Sequence, residues 1–464
     1  MHILIGFLCA FMCLCLLAIQ VPAESASTGE QAADEANKST KIDALFAPIA
    51  HVDYPGASVI VIQDGRVLHK KSYGMANLEL AVPNTPQTKF RLASVTKSFT
   101  AMAIMQLDEK GLLKISDPII KYLPDYPKGE KITIYNLLTH TSVIPDFLNY
   151  EESKKKPLEF TPGDRLNYSN TGYFVLGHII EKVSGKSYEK YLEEEIFHPL
   201  NMLNTGCDRR NTIIKNRASG YFIDKNGDLV NAEYTDSSDE YAAGGLYSTI
   251  EDMYLWDQAL YTEKLVKRAS IQQAFTPVKL NDGREGNYGF GWMLSQNRGL
   301  REVGHGGDIS GFNTYIARFP DQHFTVVVLS NIGMHSHGLI PTAGDLAHQI
   351  AEIYLSDKMK PKESTIEVKI DPKIYDAYVG QYRLDAPQAI TDVMGSEFII
   401  TKEDNRLFGQ SKLGKEHIYP ESDTMFYSKS NPAKITFVKD DKGEITEVIF
   451  ALMGVREFRA KRVK

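Results

Sequence analysis

The hydrophobic pattern of this 464-residue chain changes around residues 358–370. Before this segment, strand-like patterns lie on either side of a long helical region, whereas beyond it short alternating patterns recur at regular spacing. The segment itself is rich in lysine and contains Pro361, which is typical of a linker. The sequence therefore predicts two domains, residues 42–357 and 371–464, joined by a linker over residues 358–370.

The first domain begins with a hairpin and then becomes helical. Residues 57–62 and 66–72 flank Asp64-Gly65, a dipeptide that favours the tight turn of a β-hairpin. Apolar residues then recur at helical spacing over residues 94–107, and strand patterns return over residues 288–330. Strands on both sides of a helical region predict one sheet built from both ends, with a helical part inserted between them.

The second domain has no pattern that suggests catalysis. Its short strand patterns are separated by turns such as Asp441-Lys442-Gly443, and they predict an all-β barrel or sandwich. These strand patterns cover residues 378–382, 397–401, 407–410, 434–438 and 448–452.

The N-terminus has the composition of a targeting segment. An uninterrupted apolar run, Ile3–Ile19, is followed by small residues up to Ala23, which predicts a cleaved signal peptide over residues 1–23 and an exported protein. An uncleaved membrane anchor is the alternative, because the run is just long enough for a short spanning helix. Residues 24–41 are polar and acidic, so we predict a disordered linker there.

Charge and composition exclude several classes of function. The net charge is −7 and no basic stripe is interleaved with aromatic residues, which argues against nucleic-acid binding. Three of the four cysteines lie within residues 1–23, so we expect the remaining one, Cys207, to be a structural thiol. The segment Asp224–Asp228 lacks the glycine and glutamate of a calcium loop, and His335 and His337 have no evident third ligand. We therefore expect neither a metal nor an organic cofactor.

A serine and a lysine three residues apart occur at three places, Ser94/Lys97, Ser153/Lys156 and Ser187/Lys190. A serine hydroxyl needs an adjacent base to act as a nucleophile, and residues i and i+3 of a helix share a face. Lys97 could therefore direct its amine at the Ser94 oxygen, provided that burial favours the neutral amine. A capping serine followed by a solvated lysine gives the same pattern, so Ser-x-x-Lys alone does not decide between them.

Tyr168-Ser169-Asn170 is the only Tyr-x-Asn pattern among 24 tyrosines, and it precedes a helical pattern. A tyrosine near a buried ammonium can exist partly as phenolate and relay a proton, and an asparagine amide can bind a substrate carbonyl. The alternative is a packed loop tyrosine, with Asn170 capping the helix.

Gly304-His305-Gly306-Gly307 contains the only His-x-Gly pattern among twelve histidines. Glycines beside a strand allow a substrate backbone to approach closely. The backbone N–H of Asp308 could pair with that of Ser94 to form an oxyanion hole. The alternative is a glycine-rich turn with an uninvolved histidine.

In the order Ser-x-x-Lys, Tyr-x-Asn and His-x-Gly, the motifs resemble those of the penicillin-recognising serine hydrolases. That family includes class C β-lactamases, D-alanyl-D-alanine carboxypeptidases, D-aminopeptidases and esterases. The tail over residues 375–463 resembles the lipocalin-like β domain that often follows such proteins. The resemblance implies an α+β fold of the β-lactamase/transpeptidase type, in which an antiparallel sheet flanked by helices and an all-helical lobe precede the small β domain. Further similar segments cover residues 90–97, 132–142, 242–249 and 304–312.

The resemblance selects Ser94 among the three serines and implies the roles of the other motif residues. Ser94 is expected to form an acyl-enzyme, with Lys97 and Tyr168 moving its proton. Contacts with the substrate are expected from Asn170, His305 and Gly307.

These motifs predict an exported serine hydrolase for D-amino-acid peptides, such as peptidoglycan stems, that also binds penicillin. Two positions differ from the typical family pattern: His-x-Gly replaces the Lys-Thr-Gly of β-lactamases, and Val143 stands where relatives usually have glycine. An esterase or a weak β-lactamase of the same fold is the enzymatic alternative. The non-enzymatic alternative is a catalytically silent protein that binds muropeptides or penicillin, or forms assemblies. The oligomeric state is left open.

Overall fold

The computed structural model describes residues 24–463, except 147–148, 159, 225, 237–239, 334–340, 362–369, 386–390, 392–393, 413, 429–432 and 453–455. The described α-helices are α1 (Glu24–Phe46), α2 (Thr96–Glu109), α3 (Ile134–Leu138), α4 (Tyr150–Ser153), α5 (Asn170–Ser184), α6 (Tyr188–Leu192), α7 (His198–Leu200), α8 (Tyr241–Gly244), α9 (Ile250–Ala259), α10 (Arg268–Ala274) and α11 (Ala343–Leu355). Short 3₁₀ turns cover Ala47–Ile49, Ala93–Val95, Ile119–Lys121, Pro320–Gln322 and Pro372–Ala377, and Glu193–Phe197 is π-helical.

The first domain contains the strands β1 (Ala57–Gln63), β2 (Arg66–Tyr73), β3 (Met75–Asn77), β4 (Val82–Pro83), β5 (Phe90–Arg91), β6 (Gly206–Cys207), β7 (Tyr221–Ile223), β8 (Leu229–Asn231), β9 (Leu246–Ser248), β10 (Met293–Asn297), β11 (Leu300–Ile309), β12 (Phe312–Phe319) and β13 (Phe324–Ser330). The second contains β14 (Gly380–Asp385), β15 (Glu397–Glu403), β16 (Arg406–Ser411), β17 (Gly414–Pro420), β18 (Met425–Ser428), β19 (Ala433–Lys439), β20 (Ile445–Leu452) and β21 (Arg456–Arg462).

A six-stranded antiparallel sheet forms the centre of the first domain, in the order β10-β11-β12-β13-β1-β2. Strand β1 pairs with β2 on one side and with β13 on the other, so the chain builds this sheet from both ends, as predicted. Alternate residues of β1 point to opposite faces. Val59 and Val61 pack in a core with α1 and α11, whereas Ile60 and Ile62 pack against the helical lobe. The sheet is therefore covered on both faces, which confirms the predicted fold class.

Helix α2 lies inside the helical lobe. Its residues from Thr96 to Leu107 are all buried, which fits a sequence that is apolar around most of the helix. Phe99 stacks on Trp256 with 4.0 Å between the ring centroids, and Thr100 Oγ1 donates to the Ala242 carbonyl at 2.7 Å. The start of α2 is thereby fixed within the lobe.

The predicted disorder of residues 24–41 is wrong, because these residues belong to α1. The helix is anchored by its last turns, where Ile42 and Phe46 are fully buried. Phe46 stacks on Tyr73 at 4.4 Å, and the Asp43 carboxylate accepts a hydrogen bond from the Tyr73 hydroxyl at 2.6 Å. The prediction considered only the polar residues 24–41, whereas the packing that orders the helix comes from residues beyond them.

The second domain is a closed eight-stranded barrel formed by β14–β21. Aromatic side chains fill its interior; Tyr378, Tyr382, Phe426 and Phe437 are all buried in one cluster. The prediction of an all-β barrel or sandwich is therefore resolved in favour of a barrel with a packed core.

The predicted signal peptide, residues 1–23, lies outside the described residues, as do His335 and His337. Among the helices that the structure does describe, none combines the length and apolar character needed to cross a bilayer. Cleavage, anchoring and export therefore stay predictions.

Candidate active site

Ser94 lies in the 3₁₀ turn Ala93–Val95, directly before the first turn of α2, which carries Lys97. The α-helix thus begins two residues later than the sequence indicated. A 3₁₀ turn still places residues i and i+3 on the same side. The Lys97 Nζ atom lies 3.1 Å from Ser94 Oγ; the lysine is fully buried and the serine is partly exposed.

The turn is attached to the sheet as well as to the lobe. Thr314 Oγ1, on β12, donates to the Leu92 carbonyl at 2.8 Å. On β11, Gly307 lies so close that a Cβ atom built on it would be 2.2 Å from the Leu92 oxygen. Ser94 is therefore held at the junction between the sheet and the helical lobe.

Besides Ser94, Lys97 Nζ contacts two carbonyl oxygens, Asn170 Oδ1 at 2.7 Å and Ala243 O at 2.8 Å. Both oxygens are obligate acceptors, so each takes an N–H from Lys97. The Ser94 hydroxyl differs, because it can donate to a neutral amine or accept from an ammonium. A proton can therefore pass between Ser94 and Lys97 without a change in the partners of either side chain.

Tyr168 is also brought to Lys97. Its ring centroid lies 4.8 Å from Lys97 Nζ, and its ring packs 4.1 Å from that of His140. The residue that caps α5 is Ser169, whose hydroxyl accepts from the Gly172 N–H at 3.1 Å. The alternative that made Asn170 the cap is therefore wrong, which leaves the Asn170 side chain to contact Lys97.

The structure places His305 behind the site. Its side chain is fully buried; Nε2 lies 2.8 Å from the Tyr288 hydroxyl and Nδ1 lies 2.6 Å from the Gly306 carbonyl. A neutral imidazole satisfies both contacts, with Nδ1–H donating to Gly306 and Nε2 accepting from Tyr288. In this arrangement His305 supports β11, and the substrate contact predicted for it stays a prediction.

Gly307 was predicted to let a substrate backbone approach closely, but in the structure it is the Leu92 backbone that lies close to it. A Cβ atom at this position would lie 2.4 Å from Thr314 Oγ1, in addition to its clash with Leu92. Asp308, the next residue of β11, is exposed, and its neighbour Gly307 lies against Leu92 and Ala93 in the segment that carries Ser94. Its pairing with the Ser94 N–H in an oxyanion hole, and the substrate contacts of Gly307 and Asn170, stay predictions.

The two other Ser-x-x-Lys pairs have structural contacts. Ser187 caps α6 by accepting from the Lys190 N–H at 3.3 Å, and the Lys190 side chain is 62% exposed. Ser153 donates to the Tyr150 carbonyl at 2.7 Å at the end of α4, and Lys156 is exposed. Burial of the lysine therefore distinguishes Ser94/Lys97 from both copies.

Several contacts at the site were not predicted. The Ala243 carbonyl binds Lys97, and Asp146 accepts from the Asn170 N–H at 2.6 Å. His140 and Tyr288 pack their rings 4.4 Å apart beside Tyr168. His140 lies in the family-like segment over residues 132–142, so the sequence contained a signal for it. The contact of the Ala243 carbonyl has no sequence signal, because every residue has a backbone carbonyl.

Asp224 forms hydrogen bonds within the segment Asp224–Asp228. Asp224 Oδ1 accepts from the N–H groups of Asn226 and Asp228, which closes the turn between β7 and β8. Within the described part of the chain, no group of three or more His, Cys, Asp or Glu side chains could hold a metal ion.

Burial, together with the charge of Lys97, lowers the pKa of His305 to about 3. In the unfolded chain this histidine would titrate near its ordinary value of about 6.5, so the unfolded state binds the extra proton below that pH. The contribution of His305 to stability is therefore complete above about pH 6.5 and is lost as the pH falls towards 3.

We accordingly expect the free energy of unfolding to decrease less on acidification in His305→Gln than in the wild type. Urea unfolding of both proteins at pH 7 and at pH 4.5 measures the difference. Equal decreases would show that His305 is not held neutral in the folded state.

A buried lysine beside a serine, where an antiparallel sheet meets a helical lobe, is the arrangement expected of serine hydrolases with the β-lactamase-like fold. A family model described as Beta-lactamase matches residues 42–350. The chain therefore belongs to the beta-lactamase family, whose members are serine hydrolases. A second model, a domain of unknown function (DUF3471), matches residues 364–462, the region of the barrel.

Individual relatives extend the similarity over most of the chain. Penicillin-binding protein 4* of Bacillus subtilis strain 168 is 30% identical over 448 residues, which cover 86% of this chain and 94% of that protein. The octameric penicillin-binding protein homologue from Pyrococcus abyssi is 27% identical with a TM-score of 0.61, and the match covers 91% of this chain and 99% of the homologue. The D-amino acid amidase from Ochrobactrum anthropi SV3, solved with L-phenylalanine amide, is 26% identical with a TM-score of 0.61, covering 70% and 99% of the two chains.

Proposed function

We propose that this protein is an exported serine hydrolase that acts on D-amino-acid-containing peptides through an acyl-enzyme on Ser94. The observation that carries the proposal is the fully buried Lys97 Nζ, 3.1 Å from Ser94 Oγ and beside the Tyr168 ring. The similarity to penicillin-binding proteins and to a D-amino acid amidase supports the substrate class. Export rests on the apolar run Ile3–Ile19.

The proposed reaction has two steps. Ser94 Oγ attacks the scissile carbonyl and forms a C–O bond, while its proton passes to Lys97 or Tyr168. The N–H groups of Ser94 and Asp308 stabilise the oxyanion until the C–N bond breaks and the leaving amine takes up the proton. Water then attacks the acyl carbon, gives up a proton to the same groups, and releases the acid together with the Ser94 hydroxyl.

One observation favours an uncharged substrate and makes an esterase the second candidate. The motif resemblance places His305 where β-lactamases have a lysine, and its low pKa keeps it neutral at physiological pH. This position therefore supplies no cation for the carboxylate of a penicillin or of a terminal D-alanine. Amides and esters without that carboxylate need no such cation, whereas a penicillin is expected to bind more weakly and still to acylate Ser94 through its β-lactam carbonyl.

A substrate panel tests the proposal and separates the alternatives. The purified protein and Ser94→Ala are incubated with a stem-peptide mimic ending in D-Ala-D-Ala, a D-amino acid amide, a short p-nitrophenyl ester and a penicillin. We expect the wild type alone to release D-alanine from the stem-peptide mimic or the free D-amino acid from the amide. Cleavage confined to the ester would establish the esterase instead, and rapid penicillin turnover a β-lactamase. Equal behaviour of the two proteins would contradict a role for Ser94.

A further inference from the structure

A buried carboxylate that belongs to none of the three motifs contacts Asn170 twice. Asp146 is 8% exposed, and its Oδ1 accepts a hydrogen bond from the Asn170 backbone N–H at 2.6 Å. Its Oδ2 lies 3.5 Å from Asn170 Nδ2. One carboxylate therefore interacts with both the main chain and the side-chain amide of the residue that binds Lys97.

These contacts determine the orientation of the Asn170 amide. Its oxygen faces Lys97 Nζ at 2.7 Å, and its NH₂ group faces Asp146. If the amide turned by half a rotation, the NH₂ group would meet the N–H groups of Lys97 and the oxygen would meet the carboxylate, so both contacts would become repulsive. Asp146 and Lys97 therefore select the same orientation.

The loop over residues 140–146 contains two residues with left-handed backbone conformations, and it lies against the segment that carries Tyr168. His140 and Val143 have φ values of +58° and +60°, in the left-handed region that residues other than glycine rarely adopt. His140 also accepts two hydrogen bonds, from Asn167 N–H to its carbonyl at 2.7 Å and from Ser169 N–H to its Nδ1 at 3.1 Å. With the Asp146 contact, the loop binds the N–H groups of Asn167, Ser169 and Asn170. Such strained conformations persist where the surrounding contacts require them.

We propose that Asp146 is a positioning residue, which orients the Asn170 amide and through it holds Lys97 Nζ against Ser94. The proposal rests on the acyl-enzyme function proposed above. A purely structural role would be different: a carboxylate at the first turn of α5 would stabilise that helix and leave the reaction unchanged.

Asp146→Asn distinguishes the two roles because it preserves the shape of the side chain. The new amide oxygen can still accept the Asn170 N–H, but its NH₂ group would face the NH₂ group of Asn170. We expect the rate of acylation by a fluorescent penicillin to fall by about 10- to 100-fold, because small displacements of a catalytic group cost that much. If Asp146 acts through Lys97, the concentration for half-saturation should change by less than about threefold; a larger change with an unaltered rate would instead assign Asp146 to the predicted contact between Asn170 and the substrate and overturn the proposal.

Asp164→Asn is the matched control, because this carboxylate is exposed and its hydrogen bond with Asn281 Nδ2, at 2.8 Å, lies at the surface. Its acylation rate should equal that of the wild type. A second variant combines Asp146→Asn with Asn170→Asp, which exchanges the carboxylate and the amide, so that each donor again faces an acceptor. We expect the double variant to acylate faster than the product of the two single effects predicts.

Wild-type rates in Asp146→Asn would overturn the positioning role, as would a double variant that shows no recovery. If the wild type reacts neither with the penicillin nor with any other substrate of the panel, the proposed function fails. Urea unfolding of the wild type, Asp146→Asn, Asn170→Asp and the double variant then tests the Asp146–Asn170 interaction without activity. Coupling between the two substitutions in the free energy of unfolding would support the interaction, and strict additivity would overturn it.

Discussion

Lys97→Met is expected to lower the rate of acylation by about 10²- to 10⁴-fold, the range attributed to a positioned general base. Methionine has a similar length but neither donates a hydrogen bond nor accepts the Ser94 proton. The substitution also leaves the Asn170 and Ala243 oxygens without the N–H groups that they now accept, at 2.7 and 2.8 Å. Stopped-flow or gel-based detection of a fluorescent penicillin adduct measures the rate, and circular dichroism verifies the fold.

The chain provides a matched control in Lys190→Met. Lys190 has the same spacing from Ser187 as Lys97 has from Ser94, but it is 62% exposed and lies 3.7 Å from Glu194 at the surface. Its acylation rate should be that of the wild type. If Lys97→Met retained more than about a tenth of the wild-type rate, Lys97 would not be the base, and Tyr168 would become the leading candidate.

The largest expected effect on stability comes from a buried ion pair that joins the lobe to the sheet. Asp257 on α9 accepts from Arg318 Nε on β12 at 2.7 Å, and both side chains are almost completely buried. The guanidinium lies over the rings of Tyr261, Phe275 and Trp292, at 4.7, 5.4 and 5.9 Å from their centroids. Asp257→Ala would leave this cation buried without its counterion, and we expect the free energy of unfolding to fall by about 3–5 kcal/mol.

Urea unfolding measures this loss, and Asp282→Ala is its control. Asp282 accepts from Arg284 Nε at the same distance of 2.7 Å, but both side chains are exposed, and solvent screens the pair. We expect no measurable change there. Replacing Asp257 and Arg318 together by leucine and methionine should recover part of the loss, because an apolar pair needs no counterion. Equal effects of Asp257→Ala and Asp282→Ala would contradict the importance of burial.

Local rules were sufficient where the sequence itself contains the stabilising residues. Helix α3 (Ile134–Leu138) is an example of such local stabilisation, because Thr133 and Asn136 form a capping box around its first turn. The hairpin around Asp64-Gly65 was predicted to within one residue at the end of each strand.

Contacts between distant segments could not be predicted in this way. Helix α1 depends on Ile42 and Phe46 packing on a strand formed later in the chain. The burial of His305 depends on which face of β11 it occupies, because neighbouring residues of a strand point to opposite sides. The left-handed conformation of Val143 agrees with the glycine expected there, yet its buried side chain was not foreseen.

The most direct test of the acyl-enzyme mechanism is to locate the acyl group. The wild type and Ser94→Ala are each incubated with a penicillin, and the intact masses and the peptides of both proteins are compared. We predict one added penicillin on the wild type, on the peptide that contains Ser94, and none on the variant. An adduct on any other residue, or one that persists in Ser94→Ala, would contradict the assignment of Ser94 as the nucleophile.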